Sequence, residues 1–388
     1  MQTYKRLLIK LLLAENVGPV FVYRALSVIS GISDQSEVIS FYAQRKHDLA
    51  LALQQIIDAP IRFFLDAGIS SQKTIEKIKK SLLVVDLERE LRLVEAAGVV
   101  VDSCFDDEYP QLLQHIYAPP VVLYRLGAPV GSGEQLLAVV GARDATAYGL
   151  SCIEYLLPAL VACGVKIVSG GALGVDAAAH RVSVTHKMPT ISVLGSGLNY
   201  WYPYGNKSLF NEILKTGGTL LSPFSMEQRP ERGTFPARNR VIAGIAPMTL
   251  VIEAGEKSGA LISAAYALDS GRTVGVVPGS ILSPQSIGCH KLLKQGALIV
   301  SGPEDLCAEL GLGIIAESEQ DSPVVSTMGT DLGKEQDLFH FIATTARSEE
   351  EIADFLKKDL SKTQELLFDL QLDGKIMQQF TGLWGISR

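Results

Sequence analysis

The chain has 388 residues, of which 47% are hydrophobic and 20% charged, with a net charge of −7. This composition excludes wholesale disorder, and the length allows two or three domains. A negative net charge argues against nucleic-acid binding by the whole surface, but the charge is uneven. Residues 135–310 carry 14 Lys and Arg against 12 Asp and Glu, whereas residues 311–388 carry 7 against 14. We therefore expect a polyanion to bind the middle of the chain.

The five cysteines are scattered and include no Cys-x-x-Cys pair. This pattern predicts reduced thiols in a cytoplasmic protein, without a disulfide frame or a zinc site. Lys10 interrupts the apolar run 7–13 and no small-residue cleavage site follows, so the run predicts an amphipathic helix rather than a signal peptide. No charge-free apolar run reaches the length of a membrane span.

Residues 1–95 are predicted to form short helices separated by glycine and proline turns. Asn16-Val17-Gly18-Pro19-Val20 opens a helix and is similar to the hairpin of helix-hairpin-helix and SAM-like modules. In such a hairpin the glycine either lets the backbone approach a DNA phosphate or only allows close packing. The sequence leaves both roles open.

From residue 98 onwards, apolar runs alternate with segments of helical periodicity. The runs occupy 136–140, 165–168, 190–194, 218–221, 249–252, 273–277 and 297–300. Because they are continuous, they predict strands that are covered on both faces. Residues 96–310 are therefore expected to form an α/β domain with a doubly wound, mostly parallel sheet.

The C-terminal part is predicted to be a separate module after a linker at 311–330, which lacks periodicity. Residues 331–388 show the order of a winged helix-turn-helix. Its predicted elements are helices at 335–345, 348–357 and 361–372 and a short ribbon. The presumed recognition helix carries Glu365, Asp369 and Asp373, which would repel duplex phosphates. We interpret this module as a protein-interaction element.

Glycine turns follow three of the apolar runs, at Gly141-Ala142-Arg143, Ser169-Gly170-Gly171 and Gly195-Ser196-Gly197. In a parallel sheet these turns meet at one edge, where backbone amides and helix N-termini can bind an anion. A single such turn more often serves packing, but three at successive strand ends favour a backbone-amide anion site. The segment that begins at Gly195 does not match a dinucleotide-binding fingerprint, because its sixth residue is Tyr200. Residues 255–259 do not complete a Walker A loop.

Phe235-Pro236-Ala237-Arg238-Asn239-Arg240 provides two guanidinium groups and a ring near the same predicted edge. Arginine suits phosphate oxygens, and an aromatic ring can stack on an unpaired base. The alternatives are a salt-bridged surface pair of arginines and a core position for the ring. Cations at a helix start oppose the helix dipole, which favours an anionic ligand.

Two patterns leave room for chemistry. Asp176 and His180 lie four residues apart on a predicted helix but lack a third metal ligand, so a structural role is favoured. Glu253 ends a predicted strand, where a catalytic carboxylate could lie. It keeps open a nucleotide-binding enzyme or sensor, such as an N-glycosidase, at the same glycine-rich edge.

Residues 98–310 resemble the DNA-processing protein A (DprA/Smf) family. The order and spacing of the matching stretches are specific, although no single one would suffice. They are Val139–Arg143, Ser169–Asp176 with Ala179-His180, Gly197–Pro203, Phe235–Gly244, Ser258–Ala265 and Val276–Gly279.

The resemblance implies an extended Rossmann-like core that binds single-stranded DNA and forms a homodimer. It also implies a role in protecting incoming DNA and loading the RecA recombinase during natural transformation and recombination, without catalysis, metal or cofactor. A helical SAM-like or helix-hairpin-helix-like domain at 1–95 and a winged-helix domain at 331–388 match the usual extensions. Transferred by position, the strand-binding residues are Arg143, Ser169, Gly170, Gly171, Lys207, Phe235, Arg238, Arg240 and Lys257.

Overall fold

The computed structural model describes residues 1–131, 133–312, 338, 347–372, 376–378 and 384–386. The chain divides into two compact units, Met1–Ile314 and Ile315–Arg388. The predicted linker and the predicted helix at 335–345 lie almost entirely outside the described residues. Within the described part of the chain, no helix has both the length and the apolar character that a membrane span requires.

The N-terminal part of the first unit is helical. Its helices are α1 (Thr3–Leu13), α2 (Pro19–Ser30), α3 (Gln35–Ala43), α4 (Lys46–Asp58), α5 (Ile61–Asp66), α6 (Gln72–Val84) and α7 (Leu87–Ala96). Asp34, Ser71 and Asp86 stand at the N-caps of α3, α6 and α7, and each accepts a hydrogen bond from a first-turn amide. These caps satisfy backbone donors that a helix start leaves unpaired, which is why the helices begin there.

A nine-stranded sheet forms the centre of the first unit. Its strands are β1 (Val100–Ser103), β2 (Val122–Gly127), β3 (Leu136–Val140), β4 (Lys166–Ser169), β5 (Ile191–Val193), β6 (Thr219–Ser222), β7 (Met248–Val251), β8 (Thr273–Val276) and β9 (Leu298–Ile299). Their order is β1-β2-β6-β5-β4-β3-β7-β8-β9. In this order, every neighbouring pair from β6 across to β9 is parallel. At the other edge, β1 pairs antiparallel with β2, and β2 pairs antiparallel with β6. The predicted α/β fold with a mostly parallel sheet is confirmed.

Both faces of this sheet are covered. The remaining helices of the unit are α8 (Gln111–Gln114), α9 (Ala147–Ala162), α10 (Val175–Thr185), α11 (Lys207–Lys215), α12 (Thr234–Ile245), α13 (Gly259–Asp269), α14 (Ile287–Lys294) and α15 (Pro303–Glu309). Leu137 and Val139 of β3 belong to one buried cluster, and Leu136, Ala138 and Val140 belong to another. Successive strand residues point to opposite faces, so a strand buried on both sides must be apolar throughout.

The strand order reverses between β3 and β7. From β3 the chain adds β4, β5 and β6 on one side, and then returns to place β7 on the other side of β3. Loops that leave the carboxyl ends of β3 and β7 therefore diverge and open a crevice. Ligands of open α/β sheets bind at such a point.

Asp106 connects the N-terminal helices to the sheet. Tyr4 Oη donates a hydrogen bond to this carboxylate, and Lys5 Nζ lies 2.7 Å from Oδ2. Lys46 Nζ of α4 lies 3.7 Å from Oδ1, and the Ser103 N–H at the end of β1 donates to Oδ2 over 2.9 Å. The carboxylate is 7% exposed, so it joins α1, α4 and β1 through buried charged contacts.

Asp106→Asn is expected to lower the free energy of unfolding at neutral pH, and the deficit is expected to shrink in acid. Burial would raise the pKa of Asp106, but hydrogen bonds from Lys5, Tyr4 and the Ser103 N–H hold the pKa below its ordinary value. The stabilisation is therefore complete above the unfolded-state pKa of about 3.9 and is lost as the pH falls through the folded-state pKa.

Urea unfolding between neutral pH and about pH 3 checks this pH dependence. The exposed neighbour Asp107 provides the matched control, because Asp107→Asn removes the same charge without these contacts. A deficit in Asp106→Asn that stays constant over the whole pH range would contradict the assignment.

The second unit contains two helices and a two-stranded ribbon among its described residues. They are α16 (Glu349–Leu356), α17 (Leu360–Leu372), β10 (Ile376–Gln378) and β11 (Trp384–Ile386). The two strands pair antiparallel. Buried side chains form its core at Leu338, Ile352, Leu367, Leu370, Ile376 and Trp384. The helices lie close to the predicted ranges, and the assignment as a winged helix stays a prediction.

Candidate functional site

A cleft of about 520 Å³ opens at the carboxyl ends of β3 and β7. Most of its lining comes from the loop after β3, the turn before α10 and its start, the segment that leads into α12 with the first turns of that helix, and the loop before α13 with the start of that helix. The lining includes Gly141, Ala142, Arg143, Asp144, Ala172, Asp176, Arg232, Phe235, Arg238, Asn239, Gly255, Lys257, Ser258 and Gly259. The cleft therefore lies at the reversal of strand order, where the glycine turns were expected to meet.

Arg143 and Phe235 form a cation–π pair in this cleft. The guanidinium carbon of Arg143 lies 5.4 Å from the centroid of the Phe235 ring, and the Arg143 side chain is exposed. Such a pair contributes about 0.5–1 kcal/mol at an exposed site, which is enough to bias where the guanidinium rests. The contact places a permanent positive charge beside a half-buried ring.

Two more exposed cations, Arg232 and Lys257, line the cleft. Lys257 belongs to the predicted set, whereas Arg232 was not predicted. The signal available for Arg232 is its place three residues before Phe235, in the segment that leads into α12. Together with Arg143, these residues give the cleft lining three exposed cations, and we call these three residues its rim.

Arg238 lies in the floor of the cleft rather than on this rim. Its side chain is 5% exposed, and Nη1 donates hydrogen bonds to Gly170 O and, over 2.8 Å, to Val193 O. Burial lowers the pKa of Arg238, and the nearby Asp176 carboxylate counteracts this effect. Arg238 thus holds together the ends of β4 and β5 beneath the cleft.

Arg240 faces away from Arg238. Both arginines lie in α12, and residues two apart on a helix do not share a face. Arg240 Nη2 donates to Ala118 O over 2.7 Å, so its guanidinium binds the loop before β2. The sequence analysis grouped the two guanidiniums in one phosphate site, but the fold directs them to different partners. Lys207 is exposed at the first residue of α11 and is not part of the cleft lining.

The turn after β4 directs its polar groups inward. Ser169 Oγ donates to Val139 O over 2.6 Å, and the Ala172 N–H donates to Asp176 Oδ2 over 3.2 Å. Burial raises the pKa of Asp176, and Arg238 counteracts this shift. The Asp176 carboxylate therefore already binds an amide of the turn after β4, which is one of the glycine turns where the sequence predicted an anion. A DNA contact through Ser169 stays a prediction.

Gly170 and Gly171 fit this crowded turn because they lack a Cβ. A Cβ on Gly170 would lie 1.8 Å from Arg238 Nη1. Gly171 has φ +68°, and a Cβ there would lie 2.6 Å from Phe210 Cε1. Gly170 thus lets the backbone close over Arg238, and Gly171 lets it close over Phe210, which is a structural reason for both glycines.

Glu253 lies outside the cleft lining, in a neighbouring pocket. It is 2% exposed, and its carboxylate accepts hydrogen bonds from the Thr146 N–H over 2.9 Å and from Thr146 Oγ1 over 2.5 Å. Glu253 therefore stabilises the start of α9. His180 is fully buried, and burial lowers its pKa to about 3, so it is neutral at physiological pH. Among the described residues, no group of three His, Cys, Asp or Glu side chains could hold a metal ion.

The family model DNA recombination-mediator protein A matches residues 101–311. DNA processing protein DprA of Bacillus subtilis (strain 168) is 36% identical over 245 residues, which cover 61% of this chain and 82% of that protein. Protein Smf of Synechocystis is 40% identical over 224 residues, covering 57% of this chain and 56% of that protein.

A solved structure shares the fold. The X-ray structure of DNA processing protein A (DprA) from Streptococcus pneumoniae superposes with a TM-score of 0.62 and 29% sequence identity. The superposition covers 80% of this chain and 98% of that chain. The resemblance inferred from the motifs is confirmed. Since the family model matches more than half of its residues, the chain belongs to the DNA recombination-mediator protein A family.

Proposed function

We propose that this protein binds single-stranded DNA in the cleft and works in DNA processing during transformation and recombination. The observation that carries the proposal is the exposed Arg143 guanidinium beside the Phe235 ring, with Arg232 and Lys257 on the same rim. Cations of this kind bind phosphate oxygens, and a ring accepts an unpaired base by stacking. Family membership supports the DNA-processing role.

The position of the ring favours a single strand over a duplex. Phe235 is half-buried within the cleft, so a base must leave its own stack to reach the ring. In a duplex both faces of each base are covered by neighbouring base pairs. Binding through a ring and phosphate contacts is also tolerant of sequence, because every base has a stacking face.

The wider role follows mainly from the resemblance to the family. We propose that the protein is cytoplasmic, protects incoming DNA, helps load RecA and forms a homodimer through its Rossmann-like domain at 96–310. Residues 1–95 would form a SAM-like or helix-hairpin-helix-like domain, and residues 331–388 a winged-helix domain that binds a protein partner. Support for the last assignment is the acidic composition of 311–388, with 14 Asp and Glu against 7 Lys and Arg.

We also propose that the protein binds DNA without catalysing a reaction on it. Glu253, the candidate catalytic carboxylate, uses both oxygens to bind Thr146 and lies outside the cleft lining. Incubation with nucleoside monophosphates is therefore expected to release no free base. Measurable release would instead support the nucleotide-binding enzyme.

Fluorescence anisotropy with a labelled oligonucleotide, single against double stranded over a salt series, tests the binding proposal. Arg143→Ala is expected to weaken single-strand binding about tenfold and to reduce the salt slope of log K by about 0.7, the value for one phosphate contact on a single strand. Arg181→Ala is the matched control, because Arg181 is an exposed arginine of α10 that does not line the cleft. Equal binding of both strand forms would overturn the proposal, as would an unchanged slope in Arg143→Ala.

A further inference from the structure

A row of three aromatic rings leads out of the cleft. The Phe235 centroid lies 6.0 Å from that of Tyr202, and the Tyr202 centroid lies 6.3 Å from that of Tyr204. Exposure increases along the row, from the half-buried Phe235 to Tyr202 at 37% and Tyr204 at 72%. The rings therefore connect the cleft to the open surface.

The outer ring has a face open to solvent. Tyr202 and Tyr204 meet at 80°, so the edge of one ring points at the face of the other. Whichever ring contributes the edge, Tyr202 covers at most one face of Tyr204. An uncovered aromatic face at the surface is the kind of platform on which single-strand binders stack bases.

The segment that carries Tyr204 is attached to the floor of the cleft. Asn206, two residues further on, is 1% exposed, and its Nδ2 donates to Gly171 O over 2.9 Å and to Ala172 O over 3.0 Å. These bonds fix the base of the segment against the glycine turn. Tyr204 is thus presented on an anchored segment, which reduces the conformational entropy that binding would otherwise cost.

We propose that this row is an outer base-binding subsite, where the strand that leaves the cleft beyond Phe235 stacks its next bases on Tyr202 and Tyr204. Lys207, three residues after Tyr204 and exposed at the start of α11, would contact a phosphate there. The occupant would be the same DNA strand that binds in the cleft, because the row is continuous with the cleft: Arg143 lies over Phe235, and Phe235 packs against Tyr202. This inference rests on the proposed function.

The test compares Tyr204→Ser with Tyr204→Phe, using labelled oligo-dT of about 4 and about 12 nucleotides, which span the site sizes of single-strand binders. Tyr204→Ser is expected to weaken binding of the longer probe about tenfold and to leave the shorter probe unaffected. Tyr204→Phe retains the ring and is expected to bind both probes like the wild type. Tyr155→Ser is the matched control, because Tyr155 is a 63% exposed tyrosine of α9 outside the cleft lining.

The outcomes separate the subsite from the proposed function. A wild-type protein that binds neither probe would end the single-strand proposal itself. If the wild type binds both probes but Tyr204→Ser matches it on the longer one, the subsite is overturned and the cleft stands. The same holds if Tyr204→Phe loses as much as Tyr204→Ser, or if Tyr155→Ser does. Photocrosslinking with 5-iododeoxyuridine in the longer probe is expected to label Tyr204, and labelling confined to Phe235 would contradict the subsite.

Discussion

Arg238→Ala is expected to lower the free energy of unfolding by about 2–6 kcal/mol, since each of two buried acceptors left unsatisfied costs about 1–3 kcal/mol. The substitution removes the hydrogen bonds to Gly170 O and Val193 O and leaves two buried carbonyls without that donor. It also leaves the buried Asp176 carboxylate without its nearby cation. Urea unfolding followed by circular dichroism measures the loss.

Two variants control for this effect. Arg143→Ala removes an exposed arginine and its cation–π contact from the same cleft and is expected to lower the free energy of unfolding by about 1 kcal/mol or less. Arg238→Met combined with Asp176→Asn removes both charges and is expected to recover part of the loss, since buried pairs are replaceable by uncharged groups. If Arg238→Ala is as stable as Arg143→Ala, Arg238 is not a structural group of the cleft floor.

Phe235→Leu is expected to weaken single-strand binding by about 1–3 kcal/mol, or about 5-fold to 150-fold in Kd, because the stacking platform is lost. The variant keeps an apolar side chain of similar reach, so the half-buried position stays filled. The salt slope is expected to remain that of the wild type, since no phosphate contact is removed. Anisotropy over a salt series measures both quantities.

Phe235→Tyr is the matched control and is expected to bind like the wild type, because it keeps the ring. Comparison with Arg143→Ala separates stacking from charge. Phe235→Leu is expected to change the affinity at a constant salt slope, whereas Arg143→Ala is expected to change the salt slope as well. Wild-type affinity in Phe235→Leu would place Phe235 in the core alone, which was the alternative role weighed for this ring.

The strands of the central sheet could be predicted because a strand that is buried on both faces is a continuous apolar run in the sequence. The apolar run 136–140 coincides with β3, and the run 190–194 contains β5. The antiparallel edge formed by β1 and β2 could not be predicted, because strand direction depends on pairing between residues far apart in sequence.

The candidate site was predicted in part. Arg143 and Lys257 meet in the cleft because they follow β3 and β7, the two strands beside the strand-order reversal. Phe235 reaches the same cleft from the first turn of α12. Arg238 and Arg240 differ from expectation because the helix begins at Thr234, which turns their side chains in different directions. Arg232 was missed because its only signal is its place three residues before Phe235, and a lone arginine in a loop is more often a solvated charge.

The sequence by itself determined the alternation of buried strands and helices, the edge at which the glycine turns collect, and the family. These features are local, because hydrophobic periodicity and motif spacing depend only on residues that are close together in the sequence. Only the tertiary structure decided which charges face solvent and which serve the fold. Arg143 and Arg238 have the same side chain, yet one stays exposed on the rim and the other is buried against two carbonyls. That difference arises because burial and hydrogen bonding depend on neighbours that the chain brings together from distant positions.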